Sequence, residues 1–237
     1  MGEELTYNVS YASFDIGQVR IKLVDHITTG GADYYKAVAY INSYDGVPLV
    51  NLHTVYENQI DVSIFSTLFR SRTKTDRKWD FINYRFDYPQ HRLHIERGEW
   101  ESKNVQHVDS LRIDTLFQDG LSLFYFARAH ARKAHAVNIP TVVNEKIGNT
   151  YINFTAERTH DDIDAVDYDI DMVHFEGEAG FVGVFGLTGG FEGWFSNDAA
   201  CVPIVAKMKV LIGNVRIELM SWKRSGWAPP RYVKGAK

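Results

Sequence analysis

Apolar residues recur at every second position over much of this chain, and that spacing constrains the fold more than any other feature. Near the start, apolar and polar residues alternate over 5–11 and again over 19–23. In the last third, strand-like runs separated by glycine-containing turns cover 150–158, 165–176, 190–196 and 201–222. A period of two is that of a strand with one buried face. Alternation this regular predicts an antiparallel sheet with one polar face.

The middle of the chain continues the pattern with less regularity. Further strand candidates are 34–43, 50–58, 79–86, 91–96 and 107–114. The segment 60–70 fits either a short helix capped by Asp61 or a strand. Glycine-containing pairs predict hairpin turns at 148–149, 177–178, 189–190 and 213–214.

One segment has helical spacing instead. Leu121, Phe124 and Ala129 lie on one face of a 3.6-residue period, and Asp119 is a favourable N-cap residue. The sequence therefore predicts a helix over 120–134 that packs across the sheet or plugs one end of it.

These patterns together predict a mainly β protein. We expect a single large antiparallel curved sheet or a partly open β-barrel, with one packing helix. The chain has 14 Phe, 13 Tyr and 5 Trp, residue types that favour strands. Because no linker or repeat divides the 237 residues, we expect one domain over 1–225 and an irregular tail over 226–237.

Composition excludes several classes of function. A formal net charge of −4 disfavours nucleic acid as a partner, and the basic run at 70–78 is interpreted as a solvated loop. No window approaches the roughly 20 apolar residues of a membrane-spanning helix. Cys201 is the single cysteine, so no internal disulfide can form, and its apolar neighbours predict a buried, inert thiol. We expect no cofactor.

The histidines do not have the spacing of a metal site. His91 and His94 would point to opposite faces of a strand. On an extended helix, His130 and His135 would diverge by roughly 140°. A zinc site needs three or four converging ligands, so we interpret these histidines as exposed or hydrogen-bonded side chains.

An acidic run covers 161–171 and fails the spacing of an EF-hand loop. Asp167, Asp169 and Asp171 alternate with apolar or aromatic residues, which predicts one exposed face of a strand. Weak binding of calcium or of a cationic ligand is the functional alternative for these three carboxylates.

A hydrolase is the main enzymatic alternative. Glu96, Glu99 and Glu101 surround Trp100, and a glycosidase needs two carboxyl groups about 5 Å or about 6.5–9.5 Å apart. No nucleophile elbow or phosphate-binding loop is present, and the glycine-rich stretch 181–190 does not join a strand to a helix. The absence of a catalytic motif favours a non-enzymatic role.

Several short motifs resemble those of a known family. Residues 2–7 have the pattern G-E-x-L-x-Y, and residues 119–128 have D-x-L-S-x-x-Y-x-x-R. Residues 194–198 have W-x-S-x-D, followed by a proline at 203, and residues 213–215 match a G-S-V turn with Asn in place of Ser. In this order they resemble the bacterial domain of unknown function 3108.

The resemblance implies a location rather than a mechanism. Members of that family are similar in being predicted to be exported or envelope-associated, which implies a periplasmic or outer-envelope protein whose signal peptide is not part of this sequence. A sequence that passes from Met1 directly into a strand also fits a cytoplasmic protein. The family has no established activity, so no catalytic residue is transferred.

The same motifs supply the candidate ligand-binding residues. Trp194, Tyr125, Arg128 and Asp198 would line a cavity between helix and sheet. In the structural alternative, Trp194 anchors the sheet and Asp198 caps the turn that follows it.

The resulting hypothesis is an exported, non-enzymatic β protein that binds an apolar or amphipathic ligand or an envelope protein. A hydrolase of glycans or other envelope polymers is one alternative. A structural or assembly protein that acts through exposed strand edges is another.

Overall fold

A computed structural model of the protein describes residues 2–48, 51–75, 78–180, 189–209 and 213–235. The first eight strands are β1 (Glu4–Tyr11), β2 (Phe14–Thr29), β3 (Ala32–Ser43), β4 (His53–Asp61), β5 (Ser66–Thr75), β6 (Lys78–Asp87), β7 (Arg92–Glu99) and β8 (Asn104–Arg112). The helix α1 (Ser122–His130) follows. The remaining strands are β9 (His135–Val143), β10 (Lys146–Asp161), β11 (Ile170–Ala179), β12 (Gly189–Ser196), β13 (Pro203–Lys209) and β14 (Asn214–Lys223).

All of these strands form one sheet, in the order β8-β7-β6-β5-β4-β3-β2-β1-β14-β13-β12-β11-β10-β9. Each strand is antiparallel to its neighbours, so the sheet consists of two meanders joined where β1 pairs with β14. The predicted fold class, a mainly β protein with one antiparallel sheet and one packing helix, is confirmed. The sheet is not closed by strand pairing, because β8 and β9 are its two edges.

The sheet curls until the β9–β10 hairpin lies against β6 and β7. The backbone N–H of Glu145 donates a hydrogen bond to the Tyr84 hydroxyl over 2.7 Å, and Arg97 forms an ion pair with Glu145 at 3.3 Å. Val142 of β9 packs into a buried cluster with Phe69 of β5. These side-chain contacts give the open sheet the shape of a barrel.

One end of the curled sheet, here called the closed end, is filled by α1 and the linker 113–121. The Asp119 carboxylate holds the turn that leads into the helix, because it accepts hydrogen bonds from the backbone N–H groups of Leu121 and Ser122 over 2.7 and 3.0 Å. The helix begins at Ser122 and its N-cap residue is Leu121, so the prediction of Asp119 as the N-cap residue is wrong.

The helix is shorter than the predicted range 120–134. It ends at His130 because β9 begins at His135 and pairs there with Phe154 of β10. This change of direction brings the His130 and His135 rings to a centroid distance of 5.5 Å. The predicted divergence of these two histidines, which assumed a continuous helix, is wrong.

The structure also settles the ambiguous segment in the first half of the chain and corrects the interpretation of the basic run. The ambiguous segment 60–70 contains the end of β4, a turn and the start of β5. The basic run 70–78 is not a loop, because its described residues belong to β5 and β6.

The prediction of glycine-containing turns at 148–149 and 177–178 is also wrong, since these residues lie inside β10 and β11. The β9–β10 turn is instead formed by Asn144 and Glu145, whose φ angles of 50° and 61° are typical of a two-residue hairpin. Gly177 allows close packing, because a Cβ atom there would lie 2.3 Å from the carbonyl oxygen of Tyr151. The pairs at 189–190 and 213–214 lie at the starts of β12 and β14, and 181–188 of the glycine-rich stretch are outside the described residues.

The acidic run does not form a continuous strand. Asp167 and Asp169 lie in a loop, and β11 begins only at Ile170. The backbone here bonds to the C-terminal tail. The N–H of Tyr232 donates a hydrogen bond to the carbonyl oxygen of Asp169, and the N–H of Asp171 donates one to the carbonyl oxygen of Pro230, each over 2.8 Å. The predicted strand face with three aspartates is therefore wrong, because the tail supplies the hydrogen bonds that a strand partner would have made.

No helix within the described ranges has the length and apolar character required to cross a bilayer.

Candidate ligand-binding site

The concave face of the sheet surrounds an apolar cavity of about 360 Å³ that is partly open to solvent. The cavity extends from α1 toward the β9–β10 turn. Its apolar lining includes Val19, Ile21, Ile41, Phe69, Ile82, Ile152, Phe175, Phe191, Phe195, Met208 and Ile217. The strand period explains this composition, since inward-facing residues of successive strands share one surface.

Strand β12 shows how the sequence forms this wall. Phe191 and Phe195 lie on the face that lines the cavity, and Gly193 lies between them. A Cβ atom at position 193 would lie 2.5 Å from the Phe175 ring, so the glycine makes room for that ring. Phe191 and Phe195 can therefore share this face of β12 with the neighbouring Phe175 ring. A larger residue at position 193 would displace that ring.

The floor of the cavity comes from α1 and the residues just before it. Leu121, Phe124 and Ala127 line the cavity at helical spacing. Phe124 also makes an edge-to-face contact with Tyr7 of β1, with ring centroids 6.4 Å apart. The helix therefore closes the cavity with apolar side chains.

Tyr7 also lines the cavity, but its hydroxyl group is enclosed by protein. The side chain is only 3% exposed, and its hydroxyl has no hydrogen-bond partner among the residues that the structure describes. Burial raises the pKa of Tyr7 far above its ordinary value, so the hydroxyl stays protonated and can donate a hydrogen bond. An unpaired buried hydroxyl is energetically unfavourable.

Beneath the floor, a buried ion pair joins the helix to the N-terminus. Arg128 donates to both oxygens of the Glu3 carboxylate, one over 3.0 Å, and Arg224 donates to the same carboxylate. Arg128 also bonds the carbonyl oxygens of Ala200 and Cys201 over 3.0 and 3.2 Å. Burial alone would raise the pKa of Glu3, but the hydrogen bonds and charges of the two arginines outweigh it and lower the pKa.

Asp198 holds the turn after β12 and the C-terminal tail. One carboxylate oxygen accepts hydrogen bonds from the Ser196 hydroxyl and the Ala200 N–H, each over 2.9 Å. The other oxygen accepts a hydrogen bond from the Trp227 indole over 2.7 Å. Asp198 therefore caps this turn, as the structural alternative in the sequence analysis described.

Trp194 lies on the other face of β12 from Phe191 and Phe195. There it contacts the His174 ring at a centroid distance of 5.6 Å, and the Lys207 ammonium lies 4.9 Å from its ring. It packs at the margin of a buried cluster and does not line the cavity.

The four residues predicted to bind a ligand thus separate into two places. The structure brings Tyr125, Arg128 and Asp198 to the closed end and leaves Trp194 on the opposite face of β12. None of these four residues lines the cavity. The Tyr125 hydroxyl, like that of Tyr7, is buried and has no hydrogen-bond partner within the described ranges.

Three motifs of the sequence analysis meet at the closed end. Glu3 and Tyr7 come from the first motif, Asp119 and Arg128 from the second, and Asp198 from the third. Asp119 is fully buried, and this burial raises its pKa while hydrogen bonds from Ser66 and Ser122 oppose the shift. Its second oxygen accepts a hydrogen bond from the Asn58 amide. The motifs therefore form the polar interior that fastens the helix to the sheet.

The cavity residues themselves were missed by the sequence reasoning. Alternation placed Tyr7 and Ile21 on buried faces, but a buried face has the same pattern whether it is fully packed or lines a space. The curvature that creates the space arises from contacts between distant strands, such as those of Glu145 with Tyr84 and Arg97.

Three aspartates of the acidic run each lie beside a different basic side chain. Asp171 forms an ion pair with Arg158 at 2.8 Å, Asp169 lies 3.0 Å from a ring nitrogen of His160, and exposed Asp167 lies 3.7 Å from Arg231. Within the described part of the chain, no group of three His, Cys, Asp or Glu side chains is arranged to hold a metal ion.

The glutamates of the hydrolase alternative lie near β7, away from the cavity lining. Glu99 forms an ion pair with Lys78, Glu101 accepts a hydrogen bond from the backbone of Trp79 over 3.2 Å, and exposed Glu96 is opposite Val108 of β8. None of the three lines the cavity.

Cys201 is 5% exposed, and burial raises the pKa of its thiol. The predicted burial of this cysteine is confirmed. A raised pKa disfavours the thiolate, the reactive form of cysteine.

Comparison with known proteins identifies the family. A family model described as "Protein of unknown function (DUF3108)" matches residues 6–220. The chain belongs to this family. The resemblance inferred from the motifs is therefore confirmed, and DUF3108 membership covers the sheet from β1 to β14.

A solved structure resembles this DUF3108 protein in fold. It is titled "Crystal Structure of Beta-barrel-like Protein of Domain of Unknown Function DUF1849 from Brucella abortus". The superposition has a TM-score of 0.54 and 11% sequence identity, and it covers 94% of this chain and 97% of the other. At this identity the likeness shows a shared fold. No curated protein matches the chain.

Proposed function

We propose that this protein binds an apolar or amphipathic molecule in the cavity of its curled sheet and acts without catalysis. The observation that carries the proposal is the cavity of about 360 Å³, lined by aliphatic and aromatic side chains. Sites for small ligands in proteins are concave, mostly apolar and of roughly 300–1,000 Å³, so the volume suits a single acyl chain or a molecule of similar size.

The hydrophobic effect supplies the affinity for such a ligand. Each methylene group moved from water into an apolar site contributes about 0.8 kcal/mol. The cavity wall combines side chains from strands on both sides of the β1–β14 junction, among them Ile21, Ile82, Ile152 and Phe191. A flexible hydrocarbon chain would contact several of these strands at once.

Binding can be tested with an environment-sensitive fluorescent fatty acid and its methyl ester as probes. Ala206 lines the cavity, so Ala206→Phe places a ring in the space that the probe would occupy. We expect at least tenfold weaker binding. The control is Ala136→Phe, the same change at an exposed position of β9, which should bind as the unchanged protein does.

The result that would overturn the proposal is equally direct. If neither probe binds the unchanged protein, or if Ala206→Phe and Ala136→Phe bind alike, the cavity is not the site. Circular dichroism and urea unfolding of both variants show whether a loss of binding reflects loss of the fold.

We also propose a periplasmic or outer-envelope location, supported by the exported character that the family resemblance implies. Cell fractionation of the tagged protein expressed from its own gene tests this. Recovery in the cytoplasmic fraction would contradict it.

A further inference from the structure

The edge strand β8 is exposed on both of its faces. Of its nine residues only Leu111 is partly buried, and the side chains of Val105 and Val108 are 44% and 66% exposed. β7 pairs with one side of the strand, and no described residue pairs with the other. Its outward N–H and C=O groups are therefore available to a further strand.

The opposite edge of the same sheet is covered over residues 140–142. The linker residue Gln118 forms a parallel bridge to Thr141 of β9. Its N–H donates a hydrogen bond to the carbonyl oxygen of Pro140 over 2.9 Å, and its carbonyl oxygen accepts one from the N–H of Val142 over 2.8 Å. Pro140 itself has no N–H to offer on this strand. Strand β8 contains no proline or lysine, and nothing described covers its free edge.

We propose that β8 pairs with β8 of a second copy of this chain, antiparallel and about a twofold axis at Val108. In a symmetric antiparallel pair the residue on the axis is opposite itself, and residues equally far on either side are opposite each other. Val108 then meets Val108, and His107 meets Asp109 twice. Farther out, the same register places Val105 beside Leu111.

The side chains distinguish this register from its neighbours. An axis at His107 would place histidine opposite histidine and Val105 opposite Asp109. An axis at Asp109 would place two carboxylates directly opposite each other, which is unfavourable. With Val108 on the axis, each His107 imidazole can donate a hydrogen bond to an Asp109 carboxylate, and the two exposed Val108 side chains cover each other.

The geometry of β8 suits this pairing. Nine residues of strand extend about 30 Å, and the dimer would continue the sheet from one copy into the other. The register shift of β8 against β7 lies beside Gln106, outside the three central pairs. The interface would be isologous, so it closes at two copies and does not propagate into a fibre. This inference does not depend on ligand binding in the cavity.

The first test is the mass of the intact protein by light scattering over a dilution series. The unchanged protein should have the mass of a dimer at high concentration. Val108→Lys places two ammonium groups against each other on the axis and should give a monomer with unchanged circular dichroism. Ala136→Lys, on the exposed surface of β9, is the matched control and should remain a dimer.

The second test reports the register. Val108→Cys places two thiols on the axis, where cross-strand Cβ atoms are about 4.5–5.5 Å apart, so a mild oxidant should link the two copies. Gln106→Cys lies opposite Ser110 in this register and should not be linked. The native Cys201 is buried and does not interfere.

A charge exchange completes the design. His107→Asp alone would place a second carboxylate opposite Asp109 of the other copy and should weaken the dimer at least tenfold, whereas the double variant His107→Asp, Asp109→His should restore it. The proposal is overturned if the unchanged protein is a monomer at all concentrations. It is also overturned if the dimer survives Val108→Lys, or if Gln106→Cys is linked as efficiently as Val108→Cys.

Discussion

The closed end of the curled sheet is filled with paired polar groups, whereas the cavity above it is apolar and incompletely filled. At the closed end, Glu3 is bonded to Arg128 and Arg224, and Asp119 and Asp198 each accept several hydrogen bonds. Around the cavity, Ile21, Phe191 and Ile217 pack against neighbouring side chains and also border an open space. The difference predicts that substitutions at the closed end lower the free energy of unfolding more than substitutions in the cavity wall, where ligand contacts can replace missing internal ones.

The largest effect should follow from breaking the buried ion pair. Arg128→Ala leaves the Glu3 carboxylate buried with fewer partners, and the loss should be about 3–5 kcal/mol in the free energy of unfolding. The adjacent Glu4 is paired with Lys22 near the surface at 2.8 Å, so Lys22→Ala should cost about 1 kcal/mol or less. Urea unfolding of both variants measures the difference. Equal losses would show that the closed end is not a centre of stability.

The next largest effect compares two positions on β14 that share a face. Leu219 is fully buried near the closed end, and Leu219→Ala should cost about 2–5 kcal/mol because a cavity is left behind. Ile217 lines the existing cavity, and Ile217→Ala should cost about 1 kcal/mol, since much of that side chain already faces space. A larger loss at position 217 than at 219, measured by the same unfolding experiment, would reverse the comparison.

A smaller effect is expected from acidification, because protonation of Glu3 removes its charge but keeps the side chain in place. The arginines lower the pKa of Glu3 below the usual value of 4.5. Below that value the unfolded state binds the proton first, so stability falls as the pH falls through the folded-state pKa. The difference in unfolding free energy between the unchanged protein and Glu3→Gln should therefore shrink in acid. A difference that stays constant with pH would contradict this.

The smallest effect is expected at Tyr125, whose buried hydroxyl has no hydrogen-bond partner among the described residues. Tyr125→Phe should change the free energy of unfolding by less than about 1 kcal/mol. Tyr84 provides the contrast near the cavity, since its hydroxyl accepts a hydrogen bond from Glu145 N–H and Tyr84→Phe should cost about 1–3 kcal/mol. If Tyr125→Phe were the more costly change in thermal or urea unfolding, its hydroxyl would have a bonded partner.

Much of the sheet could be predicted because the strand period is local. The alternation around Leu5 and Tyr7 is visible in a few consecutive residues and requires no knowledge of the partner strand. The helical spacing of Leu121 and Phe124 is local in the same way, although the helix begins at Ser122, with Leu121 as its N-cap residue in place of Asp119. The wrong predictions lie where contacts with residues distant in the sequence outweigh a local pattern. The aspartates at 167 and 169 looked strand-like, but the C-terminal tail bonds to that loop.

The predicted site shows the same limit. Tyr125, Arg128 and Asp198 are polar residues within motifs, and the structure places each at the closed end. Their ligand-binding role remains a prediction from the sequence, whereas the cavity geometry supports its apolar lining as the site. A pattern of residue types identifies a buried polar group but does not tell whether its partner is a ligand or the protein itself.

Local sequence patterns specify the strands of the sheet, the helix and the family, because periodicity and motifs are properties of neighbouring residues. Where the sheet curls, which faces enclose a cavity and which edge is left bare are seen only in three dimensions. Those features depend on contacts such as Glu3 with Arg128 and Glu145 with Tyr84, which are 125 and 61 residues apart. Hydrophobic burial is non-directional, so a period of two indicates only that one face of a strand is buried. The packing of strands that are distant in the sequence determines which residues cover that face.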